Sequence, residues 1–167
     1  QKGTFVFTLS ATSVAQLGQY RFALESFALD LAMAKNSAAL LAELFDICER
    51  MAIKRDAGEM DEYLKLDTQY HATIFKHCGN NYFEDGYQLV SGKIAALRKH
   101  LSQHPTHTEK SFHEHLKMVE LLKKGKLEEA KAALKRHVTR GERSYADTVK
   151  DIAEADQGSG LKIKRNS

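Results

Sequence analysis

Four polar residues interrupt the apolar faces of helical patterns in this chain, and they constrain its fold more than any other feature. Asp67 and His71 are four apart in LDTQYHATIF, so they project from the same side of one helix. Tyr63, Tyr70 and Ile74 share that side, which makes it a core face. His115 shares a face with Phe112, Val119 and Leu122, and His137 follows Leu134 by three and Ala133 by four. A polar group on a core face is costly without a partner, so the four must find partners inside the fold. His115 and His137 flank the turn Lys124-Gly125-Lys126 at nearly equal spacing. Antiparallel helices on either side of the turn therefore bring the two imidazoles to the same height. Three imidazoles and a carboxylate can then converge as one metal site.

The rest of the chain supplies helices to hold such a site. It contains a single proline, Pro105, with abundant Ala, Leu, Lys and Glu. The expected fold is all-α: an antiparallel bundle of six to seven helices around a central metal or ligand pocket. Helices are expected over roughly 13–34, 37–54, 60–78, 82–104, 108–124 and 127–152, with Asn36-Ser37 separating the first two. Leu17, Leu24, Ala28 and Leu31 form the inward stripe of the first; Leu40, Leu41, Leu44, Phe45 and Cys48 form that of the second. Gly79-Asn80-Asn81 stops the third helix, Pro105 the fourth, and Thr106 or Thr108 caps the fifth. QKGTFVFT at the start reads as the end of a strand, with a preceding domain expected; DQGSGLKIKRNS at the end reads as a flexible tail.

Charge and cysteine content narrow the function classes. The net charge of +3 comes from scattered lysines and a basic end, without the aromatic interleaving of a single-strand binder. Cys48 and Cys78 are too few for a disulfide framework, and no apolar run is long enough to span a bilayer. A cytoplasmic protein with reduced thiols is expected.

Other histidines compete for the ligand role. His100, His104 and His107 cluster beside Pro105 at a helix end and read as solvated; His113 shares its face with Lys110, Lys117 and Glu120 and reads as surface. Glu114 is adjacent to a candidate ligand yet reads as pointing elsewhere. Arg21 lies between Leu17 and Leu24 on an inward face, where its charge needs a partner, and Glu25 stands one turn on. Asn80 either caps a helix or reaches the pocket. Three imidazoles with one carboxylate suit zinc first, and nickel, manganese or iron also.

Several segments together resemble the FCD ligand-binding domain of FadR-type regulators in the GntR family of bacterial transcription factors. They are YRFALESFALDLA, LDTQYHATIFKHCGNNYF and EHLKMVELLKKGKLEEAKAALKRHV, and QKGTFV is similar to the end of the winged-helix wing that precedes such domains. The resemblance implies residues 1–12 as wing end and linker, 13–153 as the ligand-binding and dimerisation domain, and 154–167 as tail. It also implies Asp67, His71, His115 and His137 as metal ligands, and Arg21 and Asn80 beside a small carboxylate effector. A homodimer, DNA contact through an amino-terminal winged helix outside this chain, and no membrane association follow as well. Lys126 departs from the acidic helix cap usual after the glycine.

Two other readings compete with a sensor. A helical metal-dependent hydrolase or oxygenase would use the same ligands to activate water, but Lys117 stands where His-Glu-x-x-His needs its second histidine, and no Glu-x-x-His pair occurs. A purely structural scaffold leaves four inward polar residues without a role.

Overall fold

The computed structural model describes residues 9–159, with side chains described through residue 150. Its secondary structure is helical: α1 (Ala11–Asp56), α2 (Met60–Cys78), α3 (Asn81–Leu101), α4 (Pro105–Lys123) and α5 (Leu127–Ser159). None of these helices is long and apolar enough to cross a membrane.

Among the described residues there are five helices where six to seven are expected. The boundary expected at Asn36-Ser37 is a bend inside α1, where Asn36 has φ −156° and ψ 62°. Its side-chain Oδ1 accepts from the Ala39 amide at 3.4 Å, so helix resumes at once. The bend reverses the chain. Before it, Glu25 meets His71 and Lys35 meets the Gly79 carbonyl, so this half of α1 runs parallel to α2. After it, Glu43 meets Lys76 and His77, so the second half runs antiparallel.

Short caps set the remaining boundaries. Ser10 Oγ accepts from the Ser13 amide and starts α1; Gly58, Gly79 and Gly125 take the positive φ that ends α1, α2 and α4. Pro105 does not close α3, which ends at Leu101; it opens α4 as its first residue, where its missing N–H has no partner to lose. Neither Thr106 nor Thr108 is the cap there, because the helix begins before them. Helix α5 extends to Ser159, so part of the expected tail is helical; residues 160–167, like the expected strand end at 1–8, lie outside the described residues.

Sequential neighbours are antiparallel: Phe75 stacks on Tyr87 and Thr68 meets Arg98 across α2 and α3, while His107 meets Arg140 and Glu114 meets His137 across α4 and α5. Helices α2 and α4 are parallel, since the Tyr63 hydroxyl donates to the Thr108 carbonyl and Tyr70 to that of His115. Leu40, Leu44, Ile47 and Met51 of α1 close one core with Tyr70, Ile74, Ile94, Leu122 and Leu134. Each large aliphatic side chain so buried contributes about 1.5–3 kcal/mol. The expected stripes are partly out of phase: Leu31 and Phe45 are exposed, and Leu29, Ala32 and Ile47 face inward in their place.

Candidate metal centre

Asp67, His71, His115 and His137 are all buried, supplied by α2, α4 and α5. The candidate ligand atoms of the three histidines lie within 4.8 Å of one another. Nε2 of His71 and Nε2 of His115 are 3.1 Å apart. Asp67 adjoins this pair, its Oδ1 3.6 Å from His71 Nε2 and 3.5 Å from His115 Nε2. Parallel packing of α2 on α4 explains the convergence, because Tyr70 anchors on the backbone of His115 and so sets the register next to His71.

Two carboxylates fix the imidazoles. Glu25, fully buried on α1, stands 2.7 Å from His71 Nδ1. Glu114 stands 2.7 Å from His137 Nδ1. Both Nδ1 atoms therefore carry the proton and donate it, which leaves Nε2 bare on a neutral ring. An arginine holds each carboxylate in turn: Arg21 Nε lies 2.6 Å from Glu25 Oε1, and Arg140 forks onto Glu114 with both contacts at 2.7 Å. Arg21 also donates through Nη2 to His71 Nε2 at 3.0 Å.

Electrostatics keep the rings neutral and the acid ionised. Burial, reinforced by Arg21 and Arg98, pushes His71 well below the ordinary histidine value. Burial likewise lowers His137, and brings His115 to about 3. Burial alone would raise the Asp67 carboxyl; the charge of Arg98, whose Nε is 3.6 Å from Oδ2, overrides it and holds Asp67 well below the carboxylate range. Burial would also raise Glu114, but hydrogen bonds from His137 and Arg140 bring it to about 2.

The residues present fit a divalent transition ion. Asp67 Oδ1 is buried without a hydrogen-bond partner, as is Nδ1 of His115. An unsatisfied carboxylate oxygen beside unprotonated imidazole nitrogens is costly by itself and is the donor set such ions take, although the nitrogen of His71 accepts here from Arg21. Two nitrogens on one tetrahedral zinc lie about 3.4 Å apart, so small shifts bring these atoms onto a common centre.

Other expected site residues divide. Arg21 is buried and lines a cavity of about 40 Å³ together with Asp67, Arg98, His107, His137 and Glu142. Asn80 does not line it: its Oδ1 accepts from the Tyr82 amide at 3.1 Å and caps α3, so that oxygen is committed to the helix end. Glu114 does not point away; its side chain is long enough to cross from α4 to α5. His107 is no solvated end residue either, since Arg140 Nη1 sits 2.8 Å from its Nδ1 and it borders the cavity. His113 is exposed and pairs with Glu109, as its face predicts. Cys48 and Cys78 are free and buried, and burial pushes the Cys48 thiol up to about 12.

Glu25 as a partner of His71, Arg98 as a partner of Asp67, and the Arg140–Glu114–His137 chain were not identified from sequence. The only sequence signal for the last is His137 with Arg140 three residues on, opposite Glu114-His115 across a short turn.

Comparison with known proteins bears on the fold and the family. No curated protein matches the chain significantly. A solved structure described as the metal-free FCD domain of TM0439, a proposed transcriptional regulator, superposes with a TM-score of 0.75 at 19% sequence identity. The match covers 87% of this chain and 99% of that one. The sequence profile of the FCD domain matches residues 16–140, and the chain belongs to the FCD domain family.

Proposed function

We propose that this chain is the effector-sensing and dimerisation domain of a metabolite-responsive DNA-binding regulator of the GntR family, FadR subfamily. It binds a small organic acid at a buried metal held by Asp67, His71, His115 and His137. The observation that carries this reading is the convergence of three buried imidazoles on a carboxylate oxygen without a donor. Family membership supports the regulatory role, as does the description of the similar structure as a transcriptional regulator's domain.

Zinc is the ion the donor set suits first, with nickel, manganese or iron as alternatives. When bound, the ion supplies a Lewis-acidic docking point for a carboxylate. The chain's own residues do the rest. Glu25 and Glu114 orient the rings of His71 and His137, and Arg21 places a positive charge at the cavity wall. Effector binding shifts α1 and α5, which both line the cavity, and so biases a homodimer whose amino-terminal winged helices contact DNA in the cytoplasm. This is a sensor and not an enzyme in our reading.

Elemental analysis of protein purified without metal-affinity resin tests the metal, with close to one equivalent expected per chain. Less than a tenth of an equivalent of any transition metal, with unchanged stability after chelation, overturns it. A thermal-shift screen of mono-, di- and tricarboxylates tests the sensor, with a saturable rise and an unaltered acid expected; turnover of the acid contradicts it.

A further inference from the structure

Glu142 is a carboxylate that the proposed metal centre does not use. It lies on α5, five residues beyond His137, and lines the same cavity as Arg21, Asp67 and His137. Its head is seated in a notch on α1: a Cβ at Gly18 would stand 1.4 Å from its Oε1 and 2.5 Å from its Cδ. Glycine inside a helix is destabilising relative to alanine, so the missing side chain at buried Gly18 has a cost that the notch explains. Burial raises the Glu142 carboxyl; Arg21 and Arg143 offset this through charge alone, with no hydrogen bond to it among the described residues. A partly buried carboxylate at the cavity wall with no protein donor is free to accept a hydrogen bond from a ligand.

The cavity is polarised along α1. Arg21, beside His71, marks one end, and Gly18 with Glu142 lies one turn earlier. Val14, Leu17, Ile94 and Leu97 provide aliphatic wall. The step from Gly18 to Arg21 along α1 is about 4.5 Å, and a chain of four carbons, about 5 Å long, is of that order.

We infer that Glu142 selects the effector, requiring a short monocarboxylate that carries a hydrogen-bond donor, hydroxyl or ammonium, at the end remote from its carboxylate. This rests on the carboxylate-sensing reading above. The effector's carboxylate takes the Arg21 and His137 end, and its donor meets Glu142. A dicarboxylate of equal length places a second negative charge against Glu142 and is rejected. A plain acid leaves Glu142 unpartnered and binds weakly.

The test is calorimetry of the zinc-loaded protein with 4-hydroxybutyrate, 4-aminobutyrate, butyrate and succinate, on wild type, Glu142→Gln and Gly18→Ala. Wild type is expected to bind one or both donor-bearing acids at least tenfold tighter than butyrate, with succinate weakest; which of the two binds separates hydroxyl from ammonium. Glu142→Gln keeps the shape and removes the charge, and should raise succinate affinity tenfold or more. Gly18→Ala fills the notch, displaces the carboxyl head and should bring the three monocarboxylates within threefold. An unchanged ranking in both variants, or equal binding of all four acids by wild type, overturns the role of Glu142 and leaves the sensor reading intact. Binding of no carboxylate by zinc-loaded wild type overturns both.

Discussion

His71 and His137 are held by the same kind of chain, arginine to glutamate to Nδ1, in two different environments. In Arg21–Glu25–His71 the side chains are 8%, 0% and 0% exposed. In Arg140–Glu114–His137 they are 22%, 26% and 7% exposed. Identical chemistry therefore has unequal energetic weight. Inside the core, no water can replace a lost partner, whereas Glu114 and Arg140 can turn to solvent. One chain is sealed in the core; the other orients His137 from the edge of it.

The largest expected effect comes from breaking the buried chain. Glu25→Ala leaves Arg21 charged and His71 Nδ1 without an acceptor, and should cost about 3–5 kcal/mol in urea unfolding of the metal-free protein. A loss below 1 kcal/mol would remove the distinction between the two chains.

Acid should act next, and on both. His115 sits at about 3 and His107 at about 4, so each stays neutral in the fold where the unfolded chain, near 6.5, takes up protons. With folded values depressed, metal-free stability is full above about 6.5 and falls as pH drops toward 3. Glu114, at about 2, adds a loss of the same sign below about 4.5. Urea midpoints measured from pH 7.5 to 4 should hold level down to about 6.5 and decline below it; a flat profile contradicts burial of neutral imidazoles.

Glu114→Ala should cost only about 1 kcal/mol of stability, because its site is partly open. Its larger signature is in metal affinity, where loss of the group orienting His137 should weaken zinc binding about 10–100-fold. Equal stability losses for Glu25→Ala and Glu114→Ala would break the comparison. His113→Ala is the control: exposed and paired only with Glu109, it should shift stability by less than about 0.5 kcal/mol and zinc affinity not measurably.

Periodicity explains why the centre of this site was legible and its surroundings were not. Asp67 and His71 could be placed together because one helix turn relates them, and His115 could be paired with His137 because a short turn does. The partners of those residues come from helices distant in sequence. Glu25 reaches His71 only because α1 bends at Asn36 and sends its first half parallel to α2, a path no local pattern encodes. Leu31 and Phe45, apolar yet exposed, show that an apolar residue near a stripe need not belong to it. Glu114 was misjudged because the angle of its Cα on α4 says nothing of how far a flexible side chain reaches toward α5. Pro105 was read as a stop, whereas proline serves equally as a first helical residue. Asn80 offered two uses for one oxygen, and the cap is local and therefore available at every stage of folding.

The claim that His71, His115, His137 and Asp67 form a metal centre is tested most directly by titrating metal-stripped protein with zinc at pH 7 in a calorimeter. Wild type should bind one equivalent per chain saturably, His115→Ala should lose that binding, and Asp67→Asn should weaken it at least tenfold. Absence of saturable binding in wild type, or undiminished binding in His115→Ala, would contradict the account.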